Sequence, residues 1–204
     1  MTYKKFEVPF LSNGKIKEVA DLFRKKFWDN SIPVDIEHII DVRLRIYIIP
    51  IPDFLKNCNI DALISSDWKF IHVDKDEYLD ERRHNRLRFS LAHEIGHFVL
   101  HKKIYDSFNI KNFSDYYKLY QTLPSIQYSY FETQANKFAN YLLVPREMLA
   151  VERREKLKKR GNPDWFKGID TKTLNSYLAI PISKIFNVSE EVIAIALSDL
   201  NDIC

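Results

Sequence analysis

The chain has 204 residues, 46% of them hydrophobic and 29% charged, with a formal net charge of +3. That is the profile of a soluble globular protein, not of a disordered one. Four glycines and the absence of GxGxxG or GxxxxGK(S/T) exclude the two common nucleotide-binding loops.

The N-terminus, MTYKKFEVPF, lacks the apolar core of a signal peptide, and the longest apolar runs fall far short of the ~18 residues that a membrane span needs. Cys58 and Cys204, far apart, do not make a disulfide framework and read as reduced thiols. A cytoplasmic protein follows as the expectation. The densest basic run, residues 153–161, reads as the solvated end of a helix and not as a nucleic-acid patch. No direct binding to nucleic acid and no membrane contact are expected.

Residues 14–29 place Ile16, Val19, Phe23 and Phe27 at helical spacing and predict an amphipathic helix. A second, shorter helix is expected at about 34–42, behind Pro33. Residues 43–49, β-branched and ended by Pro50, read as a strand, and DALISS and KFIHVD read as a hairpin about Asp67-Trp68. Helical periodicity returns from Asp80 to Lys102, where Leu87, Leu91, Ile95 and Phe98 form a stripe and His93, His97 and His101 fall on another side. Residues 103–130, rich in tyrosine and of mixed periodicity, read as an irregular insertion. A strong helix ends at Pro145, another runs from there to Gly161, and the remainder reads as helices broken near Pro181, with Ser189 as the last N-cap. These elements predict an α+β fold in one domain, 1–204, divided into 14–102, 103–130 and 131–204, with a small sheet of about three strands and a helical C-terminal part.

HEIGH, residues 93–97, fits HExxH. Residues four apart on a helix have Cβ atoms ~5–6 Å apart. His93 and His97 can therefore converge on one Zn²⁺ at ~2.0–2.1 Å. Glu94 points ~100° away, unsuited to ligate the same ion but placed to act on its bound water as a general base. The alternative is a core helix with incidental histidines. A catalytic zinc takes a third protein ligand. His101 lies ~12 Å along the helix axis from His93, too far for one ion on a straight helix, so it reads as a packed residue or one supporting a ligand. The longer HExxHxxGxxH pattern is excluded, since Leu100 and Lys103 stand at its glycine and third histidine.

Glu132, 35 residues after His97, sits among Phe131, Ala135, Phe138, Ala139, Leu142 and Leu143. A carboxylate on such an apolar helix is costly to bury unless it binds something. It is the better third ligand, with a capping role near the helix start as the alternative. Asn136, one turn on, could accept the other ring N–H of a ligating histidine.

RLRFSLAHEIGHFVLH followed by ETQANKFANYLLVP resembles the ImmA/IrrE family of metallopeptidases, a gluzincin-type group with a zincin-like HExxH helix and a glutamate-bearing helix. IPVDIEHII, DALISSDWKFIHV and FNVSEEVIAIAL are also similar to it, so the resemblance covers most of residues 15–200. It implies that His93, His97 and Glu132 bind Zn²⁺ (Mn²⁺ or another divalent ion is the alternative) and that Glu94 activates the zinc-bound water. It implies a protein substrate, a helix-turn-helix transcriptional repressor, cleaved in trans; the repressor-like N-terminal domain of some relatives is not expected in residues 1–33. A regulatory, antitoxin-like binding protein of the same fold without hydrolysis is the alternative. Tyr128, Tyr130 and His101 lie near enough in sequence to stabilise an oxyanion. The substrate is expected to pair with a sheet edge at Phe70–Val73, with specificity set by the 105–130 segment.

Overall fold

The computed structural model describes residues 7–159 and 168–201. Gly161, the last residues of the basic run and Cys204 lie outside the described residues. The fold is α+β, with helices packed around a three-stranded mixed sheet.

Helix α1 (Asn13–Phe27) begins at Ser12, whose side chain accepts the Lys15 N–H. It buries Ile16, Ala20 and Phe23. The next helix is shorter than the sequence suggests. Helix α2 covers Ile36–His38, and the chain continues as a wider π-turn over Ile39–Leu44. Arg45, left-handed at φ 57°, ends that turn. These residues absorb the start of the predicted strand, so β1 is Tyr47–Ile51 and not 43–49. It runs through Pro50 because β1 is an edge strand, where a missing N–H is tolerated.

After α3 (Phe54–Cys58), strands β2 (Ala62–Ile64) and β3 (Phe70–Asp74) form the expected hairpin, with Leu63 opposite His72. Strand β1 lies parallel to β3, giving the order β1-β3-β2. This corrects the expectation of a free edge at Phe70–Val73: β3 is central and both of its ladders are occupied. The local hairpin signal carried no trace of the parallel partner. The free edge beside the helices belongs to β2. Ser65 N–H and Asp61 C=O bond to β3, so the alternate residues, Ala62 and Ile64, turn their backbone groups away from it.

Helix α4 (Lys75–Leu79) leads to α5 (His84–Leu100). Residues 103–130 are helical, not irregular: α6 (Lys102–Phe108), α7 (Phe113–Thr122) and the start of α8 (Ser125–Leu143) fill them. Asn112 caps α7 by accepting the Asp115 N–H. Aromatic residues line both faces of this segment: Tyr116 and Tyr128 pack on the core while Tyr117 and Tyr120 face solvent. No aliphatic stripe marks the period.

Helices α9 (Arg146–Lys159), α10 (Thr171–Phe186) and α11 (Glu190–Asn201) complete the described fold. Helix α10 is continuous through Pro181, against the expected break. The carbonyl that the proline leaves without its helical donor is that of Tyr177, a residue on the exposed side of the helix. Ser189 Oγ accepts the Val192 N–H at 3.3 Å and caps α11. The packing that matters most for the site is α5 against α8, the most extensive helix contact, with α1 behind α8. The two helices approach closely at Gly96, where an added Cβ would lie 3.0 Å from Cα and O of Ala135.

Candidate metal centre

Helix α5 carries His93, Glu94, His97 and, as its C-cap, His101; α8 carries Glu132, Gln134 and Asn136. The glycine contact brings the two helices close enough for these side chains to meet. Nε2 of His93 and Nε2 of His97 face one another at 2.9 Å. Glu132 Oε2 lies 3.2 Å from the first, and Glu132 Oε1 lies 4.0 Å from the second. Donors that share a tetrahedral ion at ~2.0–2.2 Å stand a little over 3 Å apart, so this set fits a divalent cation. Glu94 also offers an oxygen within 4.8 Å of both imidazoles. That carboxylate is engaged elsewhere, its Oε2 accepting the outward Ile64 N–H of β2 at 2.8 Å. Glu132 is within 3.2 Å of His93 Nε2 and 4.0 Å of His97 Nε2, which makes it a candidate third donor.

The remaining ring nitrogens are held by a chain of acceptors that fixes each tautomer. His93 Nδ1 donates to Asn136 Oδ1 at 2.8 Å, whether or not Nε2 also carries a proton. Gln134 Nε2 donates to the Pro9 carbonyl at 2.8 Å, which turns its Oε1 toward His101 Nε2 at 3.0 Å. His101 therefore donates from Nε2 and accepts at Nδ1. Its Nδ1 is 2.9 Å from His97 Nδ1, which must donate. The lone pair of His97 Nε2 is left aimed at the cleft. His101 thus sits behind His97, with neither of its nitrogens in the cluster of facing Nε2 atoms.

Burial and charge sharpen the picture for the metal-free protein. Burial pulls the His93 pKa down, but the hydrogen bond with Glu132 and the charges of Glu94 and Glu132 outweigh it and raise the pKa to about 9. Glu94 is pushed up to about 7 by burial, against the opposing charge of His93 and the Ile64 N–H. Burial, with the His93 and His101 charges, holds His97 well below its usual range. Burial likewise lowers His101 to about 4, which keeps it neutral.

The cleft around these groups encloses 310 Å³. Residues 59–62, leading into the free edge of β2, form one wall, and Tyr105, Tyr116 and Tyr128 form another. The Tyr116 hydroxyl is 2.6 Å from that of Tyr128 and donates to Glu132 Oε1 at 3.3 Å. The Tyr105 hydroxyl is buried without a hydrogen-bond partner among the described residues. Burial, followed by the carboxylate charges, drives all three phenols above their usual range, so they stay protonated donors. Of the groups suggested by sequence proximity, Tyr128 lines the cleft, His101 stands behind His97, and Tyr130 is 40% exposed away from it. Gln134, Tyr105 and Tyr116 had no distinguishing signal in the sequence. Gln134 reads as one polar residue on an apolar helix, and the tyrosines lie in the stretch whose helices were not legible.

Helix pair, small mixed sheet and the His-Glu-His group together define an α+β protein with a candidate metal site. The chain belongs to the Peptidase_M78 family, described as the IrrE N-terminal-like domain, whose model matches residues 70–198. That places it in a metallopeptidase family, as the resemblance in the motifs implies. A solved structure, a Mycobacterium tuberculosis transcriptional regulator, is similar with a TM-score of 0.51 at 14% identity. The likeness covers 88% of this chain and 45% of that one, so this chain spans less than half the length of that relative. At such identity the likeness concerns the fold. No curated protein matches. Among the described residues no helix is long and apolar enough to cross a membrane.

Proposed function

We propose that the protein is a zinc-dependent endopeptidase that cleaves a helix-turn-helix transcriptional repressor or a similar regulatory protein. His93, His97 and Glu132 hold the ion and Glu94 is the general base. The observation that carries this reading is the meeting of one Glu132 carboxylate with two facing Nε2 atoms, with a second, buried carboxylate alongside. When bound, a divalent cation supplies Lewis acidity at this point. The remaining work falls to the chain. Asn136 and the Gln134–His101 pair present the imidazoles with Nε2 toward the cleft. Glu94, anchored by the Ile64 N–H, takes a proton from the water that attacks the scissile carbonyl and returns it to the leaving amine. The protonated phenols of the cleft supply donors for the developing oxyanion. The substrate backbone lies along residues 59–62, beside the free edge of β2.

Glu94→Gln tests hydrolysis against binding alone. It is expected to keep the metal and reduce cleavage by at least ~10²-fold, the usual contribution of a general base. An unchanged biological output in that variant would favour the non-hydrolytic regulator.

A further inference from the structure

A second concavity, 650 Å³, lies between α5, α8 and α11. It is larger than the catalytic cleft and joins it: Asp61, Phe89, Ser90 and Asn136 line both. Asn136 is the residue that holds His93. Phe89, Val192 and Ile195 give the hollow an apolar floor, and Ile195 remains 53% exposed. Both arginines on its walls are paired with carboxylates, and Glu191 adds a negative charge at its rim. Arg86 is paired with Asp61 at 2.6 Å, Arg146 with Asp199 at 2.8 Å, and Lys137 donates to Asn13. Such a surface selects for shape and apolar character, not for charge, which disfavours a phosphate backbone as its occupant.

Distance decides what could reach it. Phe89 and Ser90 are about one helical turn before His93, and Arg86 and Asn85 about two, so the hollow spans roughly 5–12 Å from the metal ligands along α5. An extended chain advances ~3.3 Å per residue. A substrate lying on residues 59–62 leaves the cleft at Asp61 and enters this hollow within about two to four residues of the cut bond.

The geometry points to a specificity groove: the protein recognises its polypeptide substrate by a bulky aliphatic or aromatic side chain, two to four residues to one side of the scissile bond, seated on Phe89, Val192 and Ile195. This rests on the peptidase reading. The groove then deepens it, because side-chain selection shifts from the α6–α7 segment to α11.

The test is digestion of a proteome-derived peptide library by the zinc-loaded protein, wild type beside Ile195→Arg and Thr133→Trp, with cleavage sites mapped by mass spectrometry. Both positions are solvent-facing, and metal content with circular dichroism confirms that the variants are folded. The expected result is about tenfold enrichment of Leu, Ile, Phe or Met at one or two fixed positions in the wild type, a discrimination ordinary for an apolar pocket. That enrichment should fall below about twofold in both variants. Cleavage without such enrichment, or enrichment untouched by both substitutions, overturns the groove and leaves the peptidase reading standing. No cleavage by the zinc-loaded wild type overturns both.

Discussion

Replacing Gly96 by alanine tests the idea that one close helix contact assembles the site. Gly96 lies between His93 and His97 on α5, and its Cβ would stand 3.0 Å from Cα and O of Ala135 and 3.3 Å from the Phe138 ring. The first two are backbone atoms of α8 and cannot rotate away, so the helix itself must yield by several tenths of an ångström. Overpacking of this kind costs about 1–3 kcal/mol. Removing a helical glycine gives back about 1 kcal/mol. The net loss is therefore about 0–2 kcal/mol, a fall of up to roughly 8 °C in Tm for a chain of this size. The sharper effect is on metal, because Ala135 is three residues from Glu132 and moves with it. Zinc affinity should weaken by about tenfold or more, in the range that ligand-supporting residues show. Gly14→Ala is the control: nothing lies within 4 Å of its added Cβ, so it should stabilise by about 0.4–1 kcal/mol and leave zinc affinity alone. Thermal melts and competitive zinc titration read both quantities. If Gly96→Ala behaves like Gly14→Ala in both, the close contact does not set the site and the reasoning fails.

Asn136→Ala and Gln134→Leu should each lower zinc affinity by about 10- to 100-fold with the fold retained, since the first frees a ring nitrogen of His93 and the second releases His101, the residue that holds His97; titration showing wild-type affinity in both would dismiss the acceptor chain. The metal-free protein should also lose stability as the pH rises. His93 titrates at about 9 when folded and at 6.5 ordinarily, so its contribution is complete below pH 6.5 and disappears toward pH 9. Glu94, raised to about 7, acts in the same sense at lower pH. Melts of chelated protein from pH 6.5 to 9 should show the fall, and zinc loading should reduce it. At pH 8, calorimetry in buffers of different ionisation enthalpy should report release of about one proton per zinc, the one His93 must give up. Release of none would show that His93 is not the proton carrier.

The part of the site that follows helical spacing was legible in the sequence. His93 and His97 share a face because they are one turn apart, and Glu132 stood out as a carboxylate on an apolar helix. What escaped depends on contacts between distant segments. The β1–β3 pairing is parallel and joins strands separated by α3 and β2, so the hairpin alone suggested the wrong free edge. The π-turn at Ile39–Leu44 keeps apolar residues near helical spacing while changing where the strand begins. The hydroxyl of Tyr116 reaches Glu132 only because α7 folds back over α8, and aromatic side chains on both faces of that segment hid its period. Gln134 acquires its meaning from the Pro9 carbonyl, 125 positions away in the chain.

The most direct test is the metal content of freshly purified protein, wild type beside His97→Ala and Glu132→Ala. The account predicts one zinc per chain in the wild type and loss of it in both variants. Zinc retained by Glu132→Ala would contradict the His₂Glu site, and a wild type that neither carries nor takes up a divalent ion would contradict the metallopeptidase reading as a whole.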